Sequence, residues 1–161
     1  MSRVLPFVSK IELPPGSLLE AYRRPGDFLD CYAVSSSLSP RLAAEEIVRF
    51  PGWAQALVAL RNIVTAPFGL SADGPEAEDK LGVFPVEHET ETEIIAGFDD
   101  RHLDFRVSVM AHAGRVSLAT WVRPHNLGGR LYLALIMPFH IAIARDAVRR
   151  VAKVGDEVDG P

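Results

Sequence analysis

Polar side chains that could do chemistry are spaced two residues apart along one stretch, His102–His112. Polar and apolar residues alternate there, which predicts a β-strand with one apolar and one polar face. His102 and Asp104 have the spacing of metal ligands on such a strand, and His125 or His140 could supply a third ligand. The sequence has no His-Glu-x-x-His motif and no pair of cysteines, so we expect neither a metal centre nor a cofactor. The polar row is expected to form ion pairs in solvent or to bind a ligand or partner.

Three further side chains could act on a ligand from predicted helices. His140 lies on an apolar stripe, either as a core histidine bonded to a carbonyl or a tyrosine, or as a neutral imidazole that binds a ligand or acts as a base. The head of Arg61 either stays in water or reaches a ligand carboxylate or Asp104. Arg130 opens the last helix, where positive charge is unfavourable. We therefore expect it to pair with the acidic turn 99–100 or with an anionic ligand.

Two tryptophans are expected to anchor the core, or to stack on a ligand if a cavity is open. Trp53 begins a stripe of apolar residues at helical spacing that ends at Val64. Trp121 shares a strand face with Arg123 and Ala119, so this face is expected to be partly exposed or to contact a second copy of the chain. No catalytic residue is assigned. The candidate ligand-binding residues are Trp53, Arg61, His102, Asp104, Arg106, Trp121, Arg130, Tyr132 and His140.

Composition excludes several classes of protein. The chain has 161 residues, of which 48% are apolar, enough for one domain with a real core. A formal net charge of -4 argues against a nucleic-acid-binding protein. The single cysteine, Cys31, excludes an internal disulfide and fits the reducing cytoplasm, and the N-terminus has no signal-peptide pattern. The most apolar run, Leu131–Ala144, is too short to span a bilayer and is predicted to be a buried helix, so no membrane contact is expected.

The predicted order is a strand, two helices, several antiparallel strands and a long helix. Proline and glycine make residues 1–26 an irregular lead-in, and residues 154–161 form a loose acidic tail. The domain is predicted to occupy 27–153. Its predicted elements are a strand at 28–35, a helix that starts at Ser39-Pro40, a second helix ended by Pro67 and Gly69, an acidic loop at 71–80, strands at 82–88, 91–98, 102–112 and 115–125, and a helix at 128–153 that is kinked near Pro138. The first half of that last helix is apolar nearly all round, which predicts burial on more than one side.

This order predicts an α+β fold in which a curved antiparallel sheet wraps around the C-terminal helix. It resembles the helix-grip fold of START-like and birch-pollen-allergen-like carriers of lipids and small molecules. The motifs Gly97-Phe98-Asp99-Asp100-Arg101-His102-Leu103-Asp104-Phe105-Arg106, His125-Asn126, Gly129-Arg130-Leu131-Tyr132 and Pro138-Phe139-His140 resemble an uncharacterised bacterial family over residues 27–152. In that family the domain occurs alone or behind a short-chain-dehydrogenase-like NAD(P)-binding domain. The resemblance implies a fold and no chemistry.

Three functions fit these patterns, and we rank them in the following order. The first is binding of a small apolar or amphipathic molecule in a cavity between the sheet and the C-terminal helix. The second is oligomerisation, as a homodimer or as a partner of an NAD(P)-binding reductase-like protein. The third is an enzyme of the cyclase, aromatase or hydratase type, with His140, Tyr132, Arg61 or Asp104 in acid–base roles. The third requires these four side chains to converge on one void.

Overall fold

The computed structural model describes residues 5–69 and 74–160, and its centre is one seven-stranded antiparallel sheet. The strands are β1 (Ser9–Lys10), β2 (Phe28–Ser35), β3 (Lys80–Leu81), β4 (Phe84–Glu89), β5 (Glu93–Asp99), β6 (Leu103–His112) and β7 (Arg115–Pro124). Their order across the sheet is β1-β2-β7-β6-β5-β4-β3. The helices are α1 (Pro40–Ile47), α2 (Gly52–Thr65) and α3 (Leu127–Val158), with short 3₁₀ turns at Leu18–Ala21 and Ala66–Phe68. The predicted α+β fold, a curved open sheet with a long C-terminal helix, is confirmed.

Local sequence signals explain where these elements start and turn. The Ser39 hydroxyl accepts a hydrogen bond from the Leu42 amide at 3.4 Å, and Pro40 occupies the first turn of α1. Ala113 and Gly114 have φ angles of 50° and 73°, as a tight two-residue hairpin between β6 and β7 requires. The predicted acidic loop at 71–80 lies partly outside the described residues.

The inner face of the sheet carries the main core. Strand register aligns its side chains in rows that run across β2, β7, β6 and β5. One row, formed by Tyr32, Leu118, Val109 and Ile94, is buried beneath α1 and the second half of α3. The next two rows towards the start of α3 are covered less completely, because Phe28, Phe105, Val107 and Val86 in them are only half-buried. The inner face therefore has a sealed half and an open half.

The outer face is covered by the lead-in. Leu19 is fully buried against Cys31, Ile95 and Trp121. Burial raises the pKa of the Cys31 thiol to about 12, so this thiol is protonated at neutral pH. The part of the lead-in that follows β1, residues 11–22, thus covers this side of the sheet, although its prolines and glycine prevent a long helix or strand.

The C-terminal helix differs from the prediction in extent and in burial. It runs from Leu127 to Val158, continuous through Pro138, and so includes most of the tail predicted to be loose. The buried residues of its second half are Ala144, Ala147, Val148, Val151, Ala152 and Gly155. The prediction that the first half is buried on more than one side is wrong, because Leu131, Leu135 and Phe139 are 58%, 73% and 50% exposed. The first half touches the sheet at Gly129 and His140, and these apolar side chains between the two contacts point outward.

Helix α2 is also more exposed than predicted. Of the apolar stripe, Trp53 and Leu60 are 45% and 56% exposed, so Trp53 is not a core anchor. The side chain of Val64 lies outside the described residues. The periodicity correctly predicts the helix, but an apolar stripe does not by itself show what covers it.

Candidate functional site

A buried carboxylate and an imidazole meet where the open half of the inner face lies under α3. Nε2 of His140 is 2.9 Å from Oδ2 of Asp30, whose side chain is 4% exposed. Oδ1 of Asp30 is buried and has no hydrogen-bond partner in the part of the chain that the structure describes. A buried carboxylate oxygen without a donor is costly, which makes this pair a candidate polar anchor for a ligand.

His140 presents one ring nitrogen away from this bond. Because Nε2 donates to Asp30, the Nδ1 atom of a neutral ring is an acceptor. The side chain is 21% exposed, and Phe28 packs edge-on against the ring at 6.0 Å between centroids. The imidazole is therefore the accessible member of the pair, and the carboxylate orients it from below.

Two apolar rows extend from this pair across the sheet, and we call them the open rows. The first consists of Phe28, Val122, Phe105 and Phe98, and the second of Asp30, Thr120, Val107, Ala96 and Val86. Phe105 packs against Phe98 and Phe84 at 4.6 Å and 5.5 Å between ring centroids. The open rows thus form an apolar wall with one polar end, at Asp30 and Thr120.

Arg61 and Tyr132 connect the two exposed helical segments. Nε of Arg61 donates to the Tyr132 hydroxyl at 2.8 Å, and the guanidinium lies 5.5 Å from the centre of the ring. The predicted alternative for Arg61, a contact with Asp104, is not formed, because Asp104 lies on the outer face of the sheet.

The other polar candidates on β6 and β7 belong to outer-face networks. Arg106, 7% exposed, bonds Glu87 at 2.8 Å and Asp99 at 2.9 Å. Its position corrects the expectation of a solvent-facing row, because the lead-in covers this part of the face: the guanidinium lies 5.4 Å from the centre of the Tyr22 ring. Asp99 was an expected partner of Arg130, which is exposed at the start of α3.

Trp121 and Arg123 share one carboxylate, Asp27. The indole Nε1 donates to Asp27 at 2.9 Å, and Arg123 forms an ion pair with the same carboxylate at 2.9 Å. Trp121 is 2% exposed, which excludes the partly exposed or dimer-contact position expected for it. Burial alone would raise the pKa of Asp27, but the hydrogen bonds from Arg123, Trp121 and the Arg24 amide outweigh it and lower that pKa.

The four side chains expected to share acid–base work do not converge. His140, Arg61 and Tyr132 belong to the helical side of the sheet, whereas Asp104 lies on the outer face next to His125. His102 lies beside Asn126 at the start of α3, with Nδ1 3.0 Å from the amide nitrogen. In residues 5–69 and 74–160, no three His, Cys, Asp or Glu side chains are grouped as metal ligands.

Two surface depressions of about 460 and 250 Å³ lie on the outer face. The larger is lined by Leu18, Ala21, Tyr22 and His88, and the smaller includes Ile11, Met110 and Ser117. Neither is at the open rows.

The pair on the outer face gives a prediction for His125. Its Nε2 lies 2.9 Å from Oδ1 of Asp104, and the hydrogen bond between them raises the pKa of His125 above its usual value. We expect Asp104→Asn to lower the NMR titration midpoint of His125, with His112, at the opposite end of β6, as internal reference. A raised pKa stabilises the fold below the unfolded value of about 6.5 and loses this effect as the pH rises through the folded value. Asp104→Asn should therefore destabilise the protein at pH 5 and not at pH 8, and equal destabilisation at both would contradict the pairing.

Two functional or structural carboxylates were missed in the sequence. Asp30 interrupts the apolar residues Phe28, Tyr32 and Val34, which share one face of β2, and this interruption was the available signal. Glu93, 2% exposed, accepts hydrogen bonds from the Ser17 and Ser108 hydroxyls and from the Leu18 amide. Two of these donors come from the lead-in, so no local pattern could have predicted the site.

These elements define an α+β protein with a helix-grip arrangement: an antiparallel sheet, two shorter helices and a long C-terminal helix. The chain belongs to the family described as "protein of unknown function (DUF2867)", whose family model matches residues 24–147. This match confirms the expectation of an uncharacterised family. The search of curated proteins gave no match, and the search of solved structures gave none either.

Proposed function

We propose that the protein binds a small amphipathic molecule against the open rows, under the first half of α3. The observation that carries this proposal is the contrast between the two halves of the inner face. The row that contains Tyr32 and Ile94 is sealed, whereas Phe28, Phe105 and Val107 remain half-buried next to an orphaned carboxylate oxygen. Binding sites for small molecules are mostly apolar with a few placed polar groups, as here.

The polar end of the open rows suits a ligand with a hydroxyl group. A ligand hydroxyl would donate to Nδ1 of His140, while the apolar part of the ligand would cover Val107 and Phe105. If the His140 imidazole moved aside, the ligand hydroxyl would donate to Oδ1 of Asp30 instead.

Cytoplasmic location and the absence of a nucleic-acid partner remain predictions from composition.

A titration with a dansyl-labelled fatty alcohol tests this proposal. Val107→Phe adds a phenyl ring to the open rows, and Met110→Phe, on the same strand, adds one to the opposite face. We expect a blue-shifted dansyl signal with the wild type and with Met110→Phe, and at least roughly tenfold weaker binding with Val107→Phe, equivalent to about 1.4 kcal/mol. Native mass spectrometry should show the same pattern for any molecule that copurifies.

Equal affinity of Val107→Phe and Met110→Phe would overturn the proposal, and so would an absence of binding by the wild type. Circular dichroism melting of both variants, compared with the wild type, separates loss of the site from loss of the fold. The acid–base alternative has one supporting feature, the Asp30–His140 pair, but its other expected members lie elsewhere or contact each other instead.

A further inference from the structure

Large apolar side chains are exposed on two neighbouring helical segments. We call this the apolar helical surface, and it consists of Trp53, Val58, Leu60, Ile63, Leu127, Leu131, Leu135 and Phe139. These residues are between 37% and 73% exposed. Soluble monomers rarely expose apolar surface in a contiguous patch of this kind unless it contacts something.

The two segments meet through one side-chain pair. The hydrogen bond between Arg61 on α2 and Tyr132 on α3 joins them. Leu60 precedes Arg61 in sequence, and Leu131 and Leu135 flank Tyr132 by one and three positions. The exposed Leu60, Leu131 and Leu135 therefore lie near the point where the two helices meet.

The charge of this region is opposite to that of the chain. Residues 51–69 and 127–144 contain one arginine each, Arg61 and Arg130, and no aspartate or glutamate. The whole chain contains 21 acidic residues and has a net charge of -4. Helices that lie at an anionic lipid surface have this pattern: their exposed apolar surface carries lysine or arginine and lacks carboxylates.

The burial of α3 also fits this pattern. The helix is long and apolar enough to cross a membrane by length and composition, and a window of 18 residues has a mean hydropathy of 1.5. A core helix of this hydropathy would be mostly buried, but 11% of the window is buried here. We expected no membrane contact because residues 131–144 were predicted to form a buried helix. The first half of α3 is exposed, so that reason no longer applies.

A second copy of the chain suits the surface less well. A symmetric dimer across this surface would bring the same patch of both copies together. Such a dimer would press together two segments 127–144 that each carry Arg130 and no aspartate or glutamate. We therefore propose that the apolar helical surface docks on the interface of a lipid bilayer that contains anionic headgroups.

Cosedimentation with vesicles tests this docking. Phosphatidylcholine vesicles are compared with vesicles that also contain phosphatidylglycerol, at low and at high salt. We expect the protein to bind the anionic vesicles, with salt weakening the binding. The double variant Leu131→Glu/Leu135→Glu should bind at least roughly tenfold more weakly, because it loses two inserted side chains and adds two negative charges.

The matched control is Leu42→Glu on α1. Leu42 is 54% exposed, compared with 58% for Leu131, but it lies outside the surface. The Leu42→Glu variant should bind vesicles as the wild type does. Trp53 gives a second readout: its emission should shift to the blue on anionic vesicles, and Trp53→Phe should abolish the shift because Trp121 is buried on the outer face.

Two results would overturn the proposal. One is equal sedimentation with and without vesicles. The other is a dimer in size-exclusion chromatography with light scattering that Leu131→Glu/Leu135→Glu dissociates, with no vesicle binding by the wild type; the surface would then be a contact between copies. Both outcomes leave the open rows untouched, so the titration with the dansyl alcohol is judged separately.

Discussion

Glu93→Ala is expected to destabilise the protein by about 3 kcal/mol, because the buried carboxylate is the point where the lead-in is attached to the sheet. The Ser17 hydroxyl donates to Oε1 of Glu93 at 2.6 Å, and the Leu18 amide donates to Oε2 at 2.8 Å. The Ser108 hydroxyl donates from β6 to the same carboxylate. The alanine variant leaves these donors without an acceptor and creates a cavity in place of the carboxylate. Urea unfolding followed by circular dichroism measures the loss.

Trypsin digestion tests whether the lead-in is the part of the protein that unfolds locally in Glu93→Ala. Arg23 and Arg24 lie just after the 3₁₀ turn, and we expect faster cleavage there in Glu93→Ala than in the wild type. Glu91→Ala is the matched control, since Glu91 is exposed in the connection that precedes β5. If Glu93→Ala were as stable as Glu91→Ala, the buried carboxylate would not hold the lead-in.

Gly129→Ala is expected to cost about 3 kcal/mol, although alanine is the better helix former by about 1 kcal/mol. A Cβ atom at this position would overlap the carbonyl oxygen of His102. That oxygen also accepts the His125 amide hydrogen bond at 2.9 Å, so the backbone there cannot retreat without loss. The start of α3 must then move away from the start of β6. We expect a fall in the melting temperature of roughly 10 °C.

Gly52→Ala provides the reference for this prediction. Gly52 begins α2, and a Cβ atom there would meet nothing within 4 Å. We expect this variant to be as stable as the wild type or slightly more stable. If Gly129→Ala and Gly52→Ala had the same melting temperature, α3 would not approach β6 this closely.

The strands and their faces could be predicted because their signal is local. Alternation from Leu103 to His112 placed Val107 and Val109 on the inner face and Arg106 and Ser108 on the outer face, as observed. The cap at Ser39 has the same local character. For such elements, period and capping chemistry are sufficient.

The candidate site depended on contacts between distant parts of the chain. Asp30 and His140 are 110 positions apart, and Ser17 and Glu93 are 76 apart. Apolar periodicity in α3 predicted a helix correctly, but the same periodicity is compatible with a core, a ligand or a bilayer as the neighbour. This is why the burial of the first half of α3 was predicted wrongly while its helical state was not.

The dependence of the outer face on residues 17–22 has a practical consequence for shortened versions of this protein. The family match starts at residue 24, downstream of Ser17, Leu18 and Leu19. A version trimmed to that boundary would lose Leu19, which packs against Trp121. It would also expose Glu93 within an apolar surface. Such a fragment should aggregate or bind hydrophobic dyes, and its behaviour would say little about the intact domain.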